Sequence, residues 1–309
     1  MSITRMRQVM ILCALISGLR WTTACAQDKN VNSPVQKKYN IEFGIWDTYS
    51  MSCADDGLEH SAKSSDISID MGYTLRNTGK ISLSIFSGLG LSNSMFKLSK
   101  SCDDYSFYTD ADVDGDSYYR HYKGLTVTQD MWIKDFFIPL YVDLNLKTCS
   151  WMSVYADIGA KMCININKKT DSSHGHATVY GVYPQYDDLT LDSEWGYNGF
   201  GETDFYDSNT DDDIKTNKFK VMLFGGLGLK FCTKKYPDLV LETGVRYERQ
   251  IGNTFKPQDT SKAVDNTTSV VYNTIEGTQS KEHIRSLTNY LTKSYKNALL
   301  INISVSYKY

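Results

Sequence analysis

The chain has 309 residues, 36 acidic against 33 basic, for a formal charge of −3. No concentrated basic surface is written into it, which excludes a nucleic-acid partner bound through clustered Lys and Arg. It also holds no apolar run of about 18 residues and so no transmembrane helix, but a membrane-barrel wall escapes such a scan because alternate residues face the lumen.

The first segment is a leader. Arg5 and Arg7 precede an apolar run over 9–16, Ser17-Gly18-Leu19 follows, and Ala24-Cys25-Ala26 offers a small-x-small cleavage site before Gln27. This order predicts a secretory signal peptide over 1–26, with an apolar run too short to span a bilayer. The rival is a lipoprotein signal lipidated on Cys25, although Thr22 stands where such signals favour Leu. Cleavage would remove Arg5, Arg7 and Arg20 and no acid, so the exported chain is more acidic still. Residues 27–38 are expected to be a short periplasmic segment and 39–309 one β domain.

Period-two alternation then recurs at 39–46, 67–76, 81–92, 138–147, 154–165, 219–231, 239–247 and 299–309. In the last, Leu299, Ile301, Ile303, Val305, Tyr307 and Tyr309 oppose Asn302, Ser304, Ser306 and Lys308. The connections at 77–80, 148–150 and 233–238 are short, and those at about 47–66, 98–130, 168–215 and 253–296 are long. Short and long alternate, which places all short turns at one end of the sheet. The apolar faces carry aromatics near that end (Tyr39, Tyr73, Phe231, Tyr307, Tyr309) and, at the other, Trp132 and Tyr247. The opposite faces hold Glu42, Asp70, Arg76, Asp143, Asp157, Lys161, Lys220, Lys230, Glu242, Arg246 and Lys308, so charge is expected to line a lumen. These features predict an all-β fold, an up-and-down antiparallel transmembrane β-barrel of eight strands, or ten if parts of the long loops extend the sheet. Pro139 deletes a ladder donor and predicts a bulge.

Phe137-Ile138-Pro139-Leu140-Tyr141, Gly225-Gly226-Leu227-Gly228-Leu229, Gly244-Val245-Arg246-Tyr247 and the closing Ser306-Tyr307-Lys308-Tyr309 resemble the outer-membrane beta-barrel-domain family of small porin-like proteins of Gram-negative bacteria. The resemblance covers most of the chain after the leader. It implies an eight-stranded barrel in the cell outer membrane and no catalytic residues. The closing Tyr309, where Phe is commoner, is a departure from the family pattern.

The long links carry what chemistry there is. Asp110, Asp112, Asp114 and Asp116 with Gly115 match the first half of a calcium loop, but the twelfth position is His121 where a bidentate Glu is needed. Calcium is therefore the weaker reading and a solvated acidic loop the stronger. The stretch 171–213 is rich in Asp and Glu, has no Lys or Arg, and interleaves Tyr180, Tyr183, Tyr186, Trp195, Tyr197, Phe200, Phe205 and Tyr206. Those rings either pack the loop onto the barrel rim, the favoured reading, or offer a glycan-binding surface. His174-Gly175-His176 lacks a third metal ligand, and no Ser/His or Asp/His motif supports an enzyme. Cys149 and Cys232 fall at the short-turn end, where a disulfide between them is one reading. Ile284, Leu287 and Leu291 are spaced for a short helix over 280–296.

The expectation is thus a non-enzymatic, cofactor-free outer-membrane protein with a structural or surface-interaction role, and the alternative is a narrow porin-like channel for small solutes. Its expected partners are outer-membrane lipid and lipopolysaccharide, the barrel-assembly machinery through the C-terminal strand, and glycans, cations or proteins at the outer loops.

Overall fold

The computed structural model describes residues 38–55, 59–109, 112, 114–194, 199–207, 215–232, 235–256, 271–276, 279–284, 287 and 293–309. Its strands are β1 (Tyr39–Asp55), β2 (Glu59–Asn77), β3 (Ile81–Thr109), β4 (Tyr118–Lys147), β5 (Met152–Tyr183), β6 (Leu189–Leu191), β7 (Gly201–Asp207), β8 (Phe219–Cys232), β9 (Leu239–Ile251), β10 (Val271–Glu276), β11 (Gln279–Ile284) and β12 (Lys293–Lys308). The main sheet runs β4-β3-β2-β1-β12-β9-β8-β5, and pairing of β4 with β5 closes it into a ring. Every pairing is antiparallel. Short β6 and β7 attach to β5, and β10 pairs with β11 as a separate hairpin.

Register follows the period-two pattern. Phe43, Ile45, Val305 and Ile303 pair on one face, and Glu42, Gly44, Ser304 and Ser306 pair on the other. The first short turn is set chemically: Asn77 Oδ1 accepts the Gly79 N–H at 2.9 Å, and Gly79 takes a positive φ of 81° that a side chain would resist. Arg76 lies beyond a register shift after Thr74 and is exposed, so it does not join the lumen charges. At Pro139 the expected bulge is absent. The β3–β4 register is unchanged across it, from Ser87 opposite Leu140 to Gly90 opposite Phe137, but the two intervening pairs are missing. A missing donor here interrupts the ladder without adding a residue, because the β4–β5 side continues unbroken through Pro139 opposite Lys161.

The strands run well past the alternating segments read from sequence. β3, β4 and β5 have 29, 30 and 32 residues, against 14 and 13 for β8 and β9. Most of 98–130 is therefore strand, as are most of 47–66 and the 168–183 part of the third link, and β6 and β7 occupy more of that link. The pattern was hidden because the two faces exchange polarity. On β3 the outward apolar residues Ile81, Ile85, Leu89 and Leu91 are exposed, whereas beyond Ser92 it is the inward Phe96 and Leu98 that make an apolar, buried face. Of the helix expected over 280–296, the described ends are strand: β11 ends at Ile284, which pairs with Val271, and β12 begins at Lys293, while 285, 286 and 288–292, with Leu291, lie outside the described residues. Three apolar residues at helical spacing are a weak signal once a neighbouring strand offers a ladder.

Candidate functional site: a charged lumen beneath an apolar cap

Within the ring, the side chains expected on the lumen face are buried and those expected on the apolar face are exposed. On β5, Asp157 is 6% exposed and its neighbour Ile158 69%. Leu227 and Met162 are exposed by more than half, as are Ile303 and Leu140. Glu42, Asp70, Asp143, Asp157, Lys161, Lys220, Lys230, Glu242 and Arg246 all fall inside, with Lys308 half-buried at the short-turn end. The glycines give them room. A Cβ at Gly226 would lie 2.7 Å from Asp157 Oδ1, and one at Gly244 2.5 Å from the Tyr155 hydroxyl.

The charges pair between strands instead of along one strand, from the adjacent register partners Lys230 and Glu242 to Lys161 and Asp66, three strands apart in the ring. Lys161 Nζ meets Asp66 Oδ2 at 2.5 Å and Glu248 Oε2 at 2.7 Å. Lys220 binds Asp135 at 2.5 Å. Lys230 bridges Glu242 at 2.8 Å and Asp143 at 3.1 Å, and Ser306 donates to Glu242 at 2.7 Å. Arg246 binds Asp157 at 2.8 Å while its guanidinium lies 3.5 Å from the Trp46 ring centroid and 4.1 Å from that of Phe224. Asp70 accepts from Tyr141 and Ser68, and Tyr141 stacks on Phe86 with centroids 5.0 Å apart. Glu42 lies among Glu242, Asp70 and Lys230. The sequence reading missed Asp66, Asp135, Glu248 and Lys296. Asp66 and Glu248 continue the parity of Asp70 and Arg246 one step past the segments, and that extension was the signal.

Above this layer the interior turns apolar. Phe96, Leu98, Leu125, Met131, Ile133 and Val179 form one buried cluster with Trp46, Ala298 and Leu300. Two groups from the β9–β12 connection enter it. Phe255 packs edge-on to Phe96 at 5.7 Å, and Leu287, fully buried, donates its N–H to Gln129 Oε1 at 2.8 Å. Higher still, Tyr118 stacks on Tyr183 and meets Phe200 edge-on, while Arg120 bonds the hydroxyls of Tyr118 and Tyr122 and the Gly199 carbonyl. Tyr183 and Phe200 thus pack inward, whereas Tyr186 and Tyr206 are exposed. Trp195 and Tyr197 lie outside the described residues.

The acidic tip between β3 and β4 is organised by its own hydrogen bonds. Asp112 Oδ1 accepts the backbone N–H groups of Asp114 and Asp116, and its Oδ2 accepts from Tyr183 at 2.9 Å. Tyr186 donates to Asp116 at 2.9 Å, and this bond to a carboxylate raises the phenol's pKa. Asp110 lies outside the described residues. His121, at the twelfth position of the calcium pattern, stacks on Tyr180 at 4.7 Å. His176 Nδ1 meets Asp204 Oδ1 at 2.7 Å on an exposed face. The Cys149–Cys232 disulfide that the sequence allowed as one reading is not formed: both thiols are free, and Cys232 Sγ instead donates to the Ser150 carbonyl at 3.6 Å.

No family model matches the chain, and no curated protein is similar to it. Among solved structures it is similar to the translocator domain of the autotransporter NalP from Neisseria meningitidis, at 10% identity over 98% of both chains with a TM-score of 0.23. It is also similar to the transport unit of the autotransporter AIDA-I from Escherichia coli, at 10% identity over 95% of this chain and 97% of that one with a TM-score of 0.22. The CymD monoaromatic hydrocarbon channel follows at 8% identity, 89% coverage of each chain and a TM-score of 0.21. At TM-scores this low, both placement and role have to be argued from the chain's own geometry.

Proposed function

We propose that the chain is an integral outer-membrane β-barrel protein of eight ring strands whose lumen is sealed, and that it serves as a rigid, non-enzymatic anchor for a β-sheet extension at the cell surface. The observation that carries the reading is the exposed apolar face running round the ring while ionic side chains lie inside. In water that arrangement is upside down, since a soluble barrel buries its apolar face. In a bilayer it is the stable one, and the exposed runs, such as 154–166 on β5, are long enough for a tilted strand to cross a hydrocarbon layer of about 25–30 Å. Above that layer the surroundings return to water, which accounts for the exchange of faces along β3, β4 and β5.

The alternative, a narrow solute channel, is disfavoured by two features in series: ion pairs between non-adjacent strands in the lower interior, Lys161 reaching Asp66 three ring strands away, and the apolar cluster with Phe255 and Leu287 above. The test combines two measurements on protein refolded in detergent and vesicles. A sealed barrel migrates differently in detergent gels before and after boiling and gives no large, stable conductance in planar bilayers. Full solubility without detergent together with unshifted migration would overturn the membrane reading, and a large steady conductance would overturn the sealed lumen.

A further inference from the structure

The outer boundary of the apolar belt carries a charge pattern that the lumen does not explain. On β4, Phe136 ends the apolar outward run and the exposed Lys134 follows it, then Trp132. Lys134 is paired with Asn167 of β5 and Trp132 with Lys169, so Lys134, Trp132 and the exposed Lys169 share one outward patch. Lys218, exposed just before β8, is tied to the same place by its carbonyl, which accepts the Asn165 N–H at 2.9 Å. Directly below lie the belt residues Ile166 and Phe219, exposed by 57% and 70%. Among the described residues no carboxylate holds Lys134, Lys169 or Lys218 in an ion pair, whereas the lumen lysines 161, 220 and 230 are all paired. The row continues with exposed Lys63 on β2, Lys97 on β3 and Arg249 on β9, and the acids in it whose side chains are described are Asp130, opposite Lys97, and Asp47 on β1.

We infer that Lys134, Lys169 and Lys218 form a binding site for the phosphorylated sugar headgroup of an outer-leaflet glycolipid, whose acyl chains lie along the belt below. The inference rests on the membrane reading proposed above. Charge complementarity supplies the anion: ammonium groups that no described carboxylate pairs, at the edge of a hydrocarbon layer, sit where lipid phosphates sit and attract an anionic surface. The spread selects the headgroup. β4, β5 and β8 are successive ring strands about 4.8 Å apart, so the cations reach across roughly 10 Å. That is wider than one phosphate and suits a headgroup carrying phosphates on either side of a sugar. Trp132, with one apolar face and one polar edge at this depth, offers a platform for the sugar ring.

The test is native mass spectrometry of the refolded full chain in a neutral detergent, titrated separately with a bis-phosphorylated lipid A-type glycolipid, its enzymatically dephosphorylated form and phosphatidylglycerol. The phosphorylated glycolipid should be retained about tenfold or more better by the natural chain than by the triple variant K134Q/K169Q/K218Q. The control triple K38Q/K80Q/K147Q at the short-turn end should bind like the natural chain. Equal binding by the K134Q/K169Q/K218Q variant overturns the site. Equal binding of the dephosphorylated lipid reduces it to adhesion of acyl chains to the belt, and equal binding of phosphatidylglycerol reduces it to a single-phosphate contact; either result overturns the headgroup assignment. Heat-shifted migration is recorded for every variant. Its loss in the natural chain would indict the barrel reading, and its presence with indiscriminate lipid binding would indict this site alone.

Discussion

At the residue scale the lumen is a set of paired charges that depend on one another. Arg246 is held by Asp157 and sandwiched by Trp46 and Phe224, so Arg246→Met removes the cation and leaves a carboxylate buried without its counter-ion. The expected loss is about 3–5 kcal/mol in urea unfolding from vesicles, followed by tryptophan fluorescence. The double variant R246M/D157N should recover part of that loss, because no lone charge remains; a double variant no more stable than the single would mean the pair is not coupled. Thiol chemistry gives a second check. Cys149 and Cys232 are half-buried and free while Cys163 is buried beside Phe137 and Met222, so a maleimide should label the first two in the folded protein without reductant and Cys163 only after unfolding. Most of the lumen charges were legible in the sequence, because parity along a strand decides which side of the wall a residue occupies. Their partners were not: Lys161 could have paired within its strand with Asp157, and it is ring closure that brings Asp66 and Glu248 to it instead.

At the element scale the informative feature is the reversal of faces part-way along β3, β4 and β5. A charge placed outward should therefore have opposite consequences at different heights. Ile303→Lys, on the outward face of β12 and 59% exposed, should cost about 2–4 kcal/mol in folding into vesicles. Thr126→Lys, exposed on the upper part of β4, should change stability by no more than about 0.5 kcal/mol, and Val127→Lys, fully buried next to it, should prevent the upper sheet from packing. A Thr126→Lys cost equal to that of Ile303→Lys would place the upper strands in lipid and refute the reversal. A scan that keeps the apolar residues on one parity loses these strands at Ser92 and Asp135, where the buried face turns apolar and the code inverts.

At the scale of the whole molecule, the proposed sealing is divided between an ionic layer and an apolar one, and the two can be separated. The double variant F255A/L287A removes the groups that the β9–β12 connection sends into the mouth. It should lose several kcal/mol of stability, at about 3–5 for a buried Phe and 2–5 for a buried Leu. In planar bilayers it should still show no large conductance, because Lys161, Asp66 and Glu248 span the lumen below; a steady open level would show that the apolar layer alone is the seal. The sequence by itself determined the all-β class, the positions of the ring strands in the apolar belt, the short turns and the inward face with its charges. Each of these follows from period-two geometry and local turn chemistry, which act over a few residues. The tertiary structure alone decided the height of the outer sheet, the attachment of β6 and β7 to β5, the ion pairs between non-adjacent strands and the entry of Phe255 and Leu287 into the mouth. Those depend on which strands become neighbours when the ring closes and, on the membrane reading proposed above, on where the surroundings pass from lipid to water, and neither is encoded in any one stretch of residues.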